Sequence, residues 1–281
     1  MKKTLVIMLT LTLVLLFAAA PVYAAENKLW TNDTLTVFKG KVTVDGKIDD
    51  IWKYAPEFHM TYDAQGASAE KLGGKYTGPY ANYGKILWDG NMVYILCYAQ
   101  RDEIVLNADF STWNKDGVEL YIDEGNEKLD TAYDDNDSLS RILADGTVAS
   151  SKKKVTVAAG SIAGGYLLEM SYEFESVTPK AGNSFGFDLA INYNKEKTNN
   201  RAHCLAWNDR ANLAHKYPVY MGVATFSDQA PPVPVETTTA AAKTPAAAGE
   251  VKAAQTFDII GVCVLAAVSA LGAGAVIRKR R

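Results

Sequence analysis

The densest chemistry in the chain lies in residues 113–137. Trp113 stands in a polar loop, Val118-Glu119-Leu120-Tyr121-Ile122 follows, and an acidic run closes the stretch. Residues 118–122 alternate, which is the period of a half-buried strand. Val118, Leu120 and Ile122 then share one face. Glu119 and Tyr121 share the other, the side that Trp113 can reach. An indole beside a carboxylate is suited to a sugar ring, whose C–H face lies on the π surface while its hydroxyls bond to the charged acceptor. Beyond the strand, Asp123, Asp134, Asp135 and Asp137 offer hard oxygen donors at short spacing, which suits calcium. The alternative for that run is a solvated acidic loop, and the twelve-residue spacing of an EF-hand is absent.

The same residues argue against catalysis. Asp116 and Glu119 stand three apart at a strand start, on opposite faces or out of line, so they are not two carboxylates facing across a cleft. His59, His203 and His215 have no Ser-Asp or Cys partner motif. No Cys–His metal cluster is present. Composition is that of an ordinary globular protein, 48% hydrophobic and 22% charged over 281 residues. A net charge of −3 implies no broad basic surface for nucleic acid.

The elements that must position Trp113 and Glu119 read as strands. Residues 36–38, 41–44, 83–88, 92–99, 138–144, 147–151, 154–158, 166–174, 185–193, 203–207 and 219–226 carry strand patterns, punctuated by Gly160 and Gly164-Gly165. Asp89-Gly90-Asn91 marks a hairpin turn. Residues 92–99 are apolar on both faces, which places them centrally. Asp49 or Asp50 caps a short helical turn that buries Ile51 and Trp52. Residues 63–82 read as a long loop whose Tyr76 and Tyr80, with Tyr83 just beyond, are candidates for a ligand edge. Short strands at turn-punctuated spacing, without a long amphipathic helix, predict an all-β, antiparallel sandwich of immunoglobulin-like or DOMON-like type. Cys97 and Cys204 are either a disulfide or two buried thiols, and spacing does not choose between them.

Both ends carry addressing signals. Residues 1–24 have a basic start, an apolar run and small residues at the cleavage position, as a signal peptide does. Residues 30–227 form the domain, and 228–257 are a Pro/Thr/Ala-rich linker. Residues 258–277 are apolar and long enough to cross a bilayer, and the basic tail 278–281 favours the cytoplasmic side. The expected address is the cell surface, with the domain outside. The tail is similar to Gram-positive wall-sorting signals, but Phe257 replaces the glycine and Leu-Pro is missing, so a retained membrane anchor is the simpler expectation.

From about Lys41 to Phe226 the chain resembles family 9 carbohydrate-binding modules. The resemblance rests on Val44-Asp45-Gly46-Lys47-Ile48-Asp49-Asp50-Ile51-Trp52, on residues 87–95 and 113–123, and on Gly165-Tyr166 with Glu169, Gly186-Phe187-Asp188 and Ala206-Trp207-Asn208-Asp209. It implies a β-sandwich with bound calcium, no catalytic activity, and a slot between two tryptophans that grips the end of a xylan or cellulose-like chain. Trp113 falls on the first wall. Glu119, Arg141 and Asn212 fall on groups that bond the terminal sugar. His215 falls on the second wall, where a smaller ring stacks less area, with Tyr217 or Tyr220 as substitutes. Two other readings stay open: a purely adhesive domain without a sugar site, and a haem domain of DOMON type with axial ligands drawn from Met170, Met221, His203 and His215.

Overall fold

The computed structural model describes residues 32–65 and 72–233. The expected signal peptide, most of the linker, the apolar segment and the basic tail lie outside the described residues. Among the described residues no helix is long and apolar enough to cross a membrane.

Fourteen strands and three single 3-10 turns make up the described chain. The strands are β1 (Thr34–Lys39), β2 (Glu57–His59), β3 (Tyr62–Asp63), β4 (Gly74–Lys75), β5 (Asn82–Asp89), β6 (Met92–Gln100) and β7 (Gly117–Asp123). They continue as β8 (Asp137–Leu143), β9 (Val148–Ser150), β10 (Val155–Ile162), β11 (Gly165–Glu173), β12 (Ser184–Tyr193), β13 (His203–Ala206) and β14 (Gly222–Phe226). One layer runs β10-β11-β6-β5-β2. The other is centred on β12, which pairs with β7 along one edge and with β14 and then β13 along the other, while β8 and β9 extend the β7 side.

The sequence predicts an antiparallel sandwich, but the pairing is mixed. β1 runs parallel to both of its neighbours: Thr34–Val37 pair with β14 and Phe38–Lys39 pair with β5. One short strand thus stitches the two layers together at an edge, which fixes their relative position and mixes the sheet. Gly160 is also not a break. It lies within β10 opposite Leu167, and a Cβ there would sit 2.3 Å from the Gly46 carbonyl oxygen, so glycine is needed for close approach.

The core lies between the layers. Val93, Ile95 and Cys97 of β6 and Leu168 and Met170 of β11 meet Val118, Leu120 and Ile122 of β7 and Phe185, Phe187 and Leu189 of β12. Edge-to-face rings close it, with Phe58 against Phe187 at 5.5 Å and Phe174 against Phe185 at 5.2 Å. The outer face of the first layer is covered too. Trp52, Leu87, Tyr94, Leu96 and Leu167 pack there, so β6 is buried on both faces. Trp52 is 1% exposed, and its Nε1–H donates to Glu169 Oε1 at 2.9 Å. The second Glu169 oxygen accepts the Asp45 and Gly46 amides. Asp49 does not cap the turn at Asp50–Lys53; its carboxylate accepts the Thr43 amide instead.

Cys97 sits in the central core and Cys204 behind the outer face of the second layer, both as free thiols. Burial pushes the Cys97 thiol up to about 12, so it behaves as a small apolar group.

Candidate functional site

The outer face of β7 carries Glu119 and Tyr121, while Val118, Leu120 and Ile122 enter the core. Register places Arg141 of β8 directly opposite Glu119 on one side and Ala190 of β12 on the other. The ion pair is therefore a cross-strand pair, with Arg141 Nε donating to Glu119 Oε1 at 3.0 Å. The Tyr121 hydroxyl donates to the other oxygen. Asn192 Nδ2 reaches Oε1 at 3.4 Å, and Arg201 Nη1 lies 3.7 Å from it. Glu119 is 2% exposed, and burial alone would push its carboxyl up. The Arg201 and Arg141 guanidinium groups outweigh that and hold it below the usual carboxylate range.

Trp113 sits on the 3-10 turn Thr112–Asn114 and is 47% exposed. Its backbone is held from three directions. Asn114 Oδ1 accepts the Arg201 amide at 3.1 Å, Asn114 Nδ2 donates to Asn199, and Asn194 Nδ2 donates to the Asn114 carbonyl at 2.6 Å. Asp116, fully buried, accepts the Val105 and Asn194 amides. Gly117 starts β7 because a Cβ there would lie 2.3 Å from the Ile142 carbonyl oxygen. An indole presented to solvent on so fixed a mount is a platform, and the Arg141 guanidinium lies 5.6 Å from its ring centre.

The third contribution comes from the segment after β13. Asp188 accepts the amides of Trp207, Asn208 and Asp209, and Asp209 accepts those of Ala211, Leu213 and Ala214. This folds the chain tightly enough that Asn212 adopts φ 57°. Its Oδ1 accepts Arg201 Nη2 at 2.9 Å. His215 follows on the same turn; burial, above all, holds its imidazole below the ordinary histidine value.

Trp113, Glu119, Arg141, Asn212 and His215 thus line one cleft of about 340 Å³. Arg201 lines it as well and was missed from the sequence. Tyr217 and Tyr220 do not line it; Tyr217 lines a neighbouring cavity.

The four aspartates of the acidic run do not converge as a set. Asp123 and Asp137 are buried and face each other across β7 and β8, whereas Asp134 and Asp135 are exposed. Among the described residues no three His, Cys, Asp or Glu side chains form a metal cage. A mixed donor set does suit a hard cation: Asp137 Oδ1, Asn126 Oδ1 and Asn136 Oδ1 are buried oxygens without a hydrogen-bond partner. Asn126 is tied to Asp123 through its amide at 2.5 Å, and Asn136 to Glu127 at 3.0 Å. Burial and the Glu127 carboxyl push Asp123 up to about 6, and burial pushes Asp137 up to about 7. Carboxyls so placed are short of positive charge.

The residues available for the alternative haem reading do not meet. Met170 lies in the central core and Met221 behind the second layer, while His203 bonds Asp63 at 2.6 Å beside a different cavity from His215.

Residues 44–229 match the family described as carbohydrate family 9 binding domain-like. The chain belongs to this family. Its similarity to endo-1,4-beta-xylanase A of Thermotoga neapolitana is 31% identity over 189 residues, which is 65% of this chain and 17% of the relative. Endo-1,4-beta-xylanase C of Paenibacillus barcinonensis is 26% identical over 64% of this chain and 16% of its own length. The family 9 domain here thus matches about a sixth of those enzymes. Two solved structures share the fold. A family 9 carbohydrate binding module from Caldicellulosiruptor kristjanssonii in complex with cellotriose has a TM-score of 0.60 at 19% identity, covering 70% of this chain and 95% of that one. The same organism's module in complex with glucose has a TM-score of 0.61 at 18% identity, covering 72% and 100%.

Proposed function

We propose that the cleft between Trp113 and His215 binds the end of a β-linked glucan or xylan chain without cleaving it. One observation carries the reading: a nearly half-exposed indole on a rigid mount shares a cleft with a buried carboxylate held ionised by two guanidinium groups. The indole takes the ring's C–H face. Glu119 accepts hydroxyl protons, and Arg141, Arg201 and Asn212 donate or accept at the rim. The arrangement suits binding rather than hydrolysis. Asp116, the nearest carboxylate in sequence to Glu119, is fully buried against Arg101 and backbone amides and has no water-filled space to face.

The relatives named as xylanases, and the fold relatives solved with cellotriose and glucose, support glucose or xylose units as the ligand. The signal-peptide and apolar-anchor patterns support display of the domain outside the membrane, where polysaccharide is met. Asp123, Asp137, Asn126 and Asn136 would hold a calcium ion, which would fix the loop after β7 through charge and coordination and leave the cleft itself unligated. Titration calorimetry of the full chain with cellotriose and xylotriose tests the reading. A measurable heat with either sugar supports it, and no binding of either at millimolar concentration removes it.

A further inference from the structure

His215 and Arg141 line not one cavity but two. On their far side lies a second, larger depression of about 670 Å³, which opens beside the sugar cleft and shares both side chains with it. Its floor is apolar, built from Tyr133, Leu139 and Tyr217, all packed against the buried cluster behind the second layer. Its rim is cationic: Arg141, Lys152 and Lys216 line it, and no acidic residue does.

The two lysines are also uncommitted. Lys152 opens a run of three lysines. Lys153 pairs with Glu175 at 3.4 Å and Lys154 with Glu173 at 2.6 Å, and neither lines the cavity. Among the described residues Lys152 and Lys216 have no carboxylate within ion-pair distance, and the terminal nitrogens of Arg141 have no hydrogen-bond partner, its Nε alone being used by Glu119. A register shift between Arg141 and Ile142 against β9 sets Ser150, the end of β9, opposite Arg141, with Lys152 two residues farther along and on the rim of the same cavity. Two ammonium groups without an ion pair, beside a guanidinium whose one ion pair is Glu119, leave the rim positive, and a ligand anion would relieve that.

We propose that this second cavity takes a carboxylate-bearing sugar unit, of the uronic acid type, on the same glycan whose neutral ring lies on Trp113. The inference rests on the sugar-binding reading of the neighbouring cleft. The apolar floor meets the ring, and the carboxylate sits among Arg141, Lys152 and Lys216. His215 and Arg141 are the wall that the two cavities share, so one glycan passing over them reaches both.

Titration of the purified full chain with xylotetraose, and with xylotetraose bearing one glucuronic acid branch, tests this. The acidic sugar should bind about tenfold tighter at low ionic strength, falling to about twofold near 0.5 M salt as the charges are screened. The double variant Lys152→Gln/Lys216→Gln, at two exposed positions, should lose that preference while binding xylotetraose as the wild type does. If xylotetraose binds but the branch adds nothing, or if the preference survives in the double variant, this inference is overturned and the cleft reading stands. If neither sugar binds, both are overturned.

Discussion

Replacing Trp113 with alanine separates a binding platform from a structural tryptophan, and the size of the effect follows from exposure. A tryptophan side chain offers on the order of 250 Å². With 47% of the residue exposed, roughly 120 Å² faces solvent before any ligand arrives. A pyranose lying on one face covers about half of that, or about 60 Å². At about 25 cal/mol per Å² this is ~1.5 kcal/mol, close to a tenfold change in affinity. Contacts between C–H groups and the ring add to it. The other half of the residue, roughly 130 Å², is buried in the fold, so on the same scale stability should fall by up to about 3 kcal/mol. Titration calorimetry with xylotriose or cellotriose, run beside thermal unfolding, reads both quantities. The expected pair of results is a tenfold or greater loss of affinity with a smaller fall in melting temperature than Trp52→Ala produces. Trp52→Ala should cost more stability, about 5 kcal/mol, and leave affinity unchanged, because Trp52 is 1% exposed, bonded to the buried Glu169 and outside the cleft. Retention of affinity within twofold in Trp113→Ala would refute the platform argument.

Three further perturbations probe the surroundings of that platform. Glu119→Gln removes the charge that Arg201 and Arg141 surround; it should cost about 3 kcal/mol, seen by calorimetry as a melting temperature roughly 10 °C lower, and a shift within about 2 °C would show that the network is not held by that charge. His215→Trp should tighten neutral oligosaccharide binding roughly fivefold by adding stacking area opposite Trp113, and unchanged or weaker binding would show that position 215 is not a wall. The third concerns pH and calcium. Asp123 and Asp137 titrate in the fold at about 6 and about 7 but near 4 when unfolded, so as pH rises through that interval the unfolded chain releases protons first and stability without metal falls. A divalent cation needs both carboxylates ionised, so the rise in melting temperature on adding calcium should be under about 1 °C at pH 5 and several degrees at pH 8; an equal rise at both, or none at pH 8, would take calcium away from this loop.

The strand pattern of the fold is legible because one period decides it. Residues 118–122 declare their two faces by alternation, and residues 92–99 declare central burial by lacking it; both follow from the pleat alone. The parallel pairing of β1 is not legible in the same way. A six-residue strand carries no mark of which neighbour it joins, and its division between β14 and β5 is decided by where the two layers come together. Gly160 misleads for a related reason. Glycine signals either a turn or a close approach, and only the position of Gly46 shows which is present.

The cleft divides along the same line. Trp113, Glu119 and Arg141 come from adjacent strands or their flanks, where register dictates proximity. Arg201 comes from a loop with no pattern of its own, and its place depends on bonds to Asn192, Asn212 and the Asn114 side chain, three residues from three separate segments. One trace of it does exist in the sequence. β12 sends Phe185, Phe187, Leu189 and Ile191 inward, and the alternate positions hold Asp188 and Asn192, both buried. Polar side chains on the outward half of a strand buried on both faces must have partners, because an unpaired buried amide or carboxylate costs about 1–3 kcal/mol. That requirement predicts a cation and a set of amide donors over β12, and Arg201 and the 207–214 turn supply them. The buried acidic and amide residues Asp116, Asp188, Asn194 and Asp209 therefore spend their bonds on backbone amides and carbonyls. They hold the few side chains that reach the cleft, which is why a motif rich in Asp and Asn marks where the site is built more reliably than what it touches.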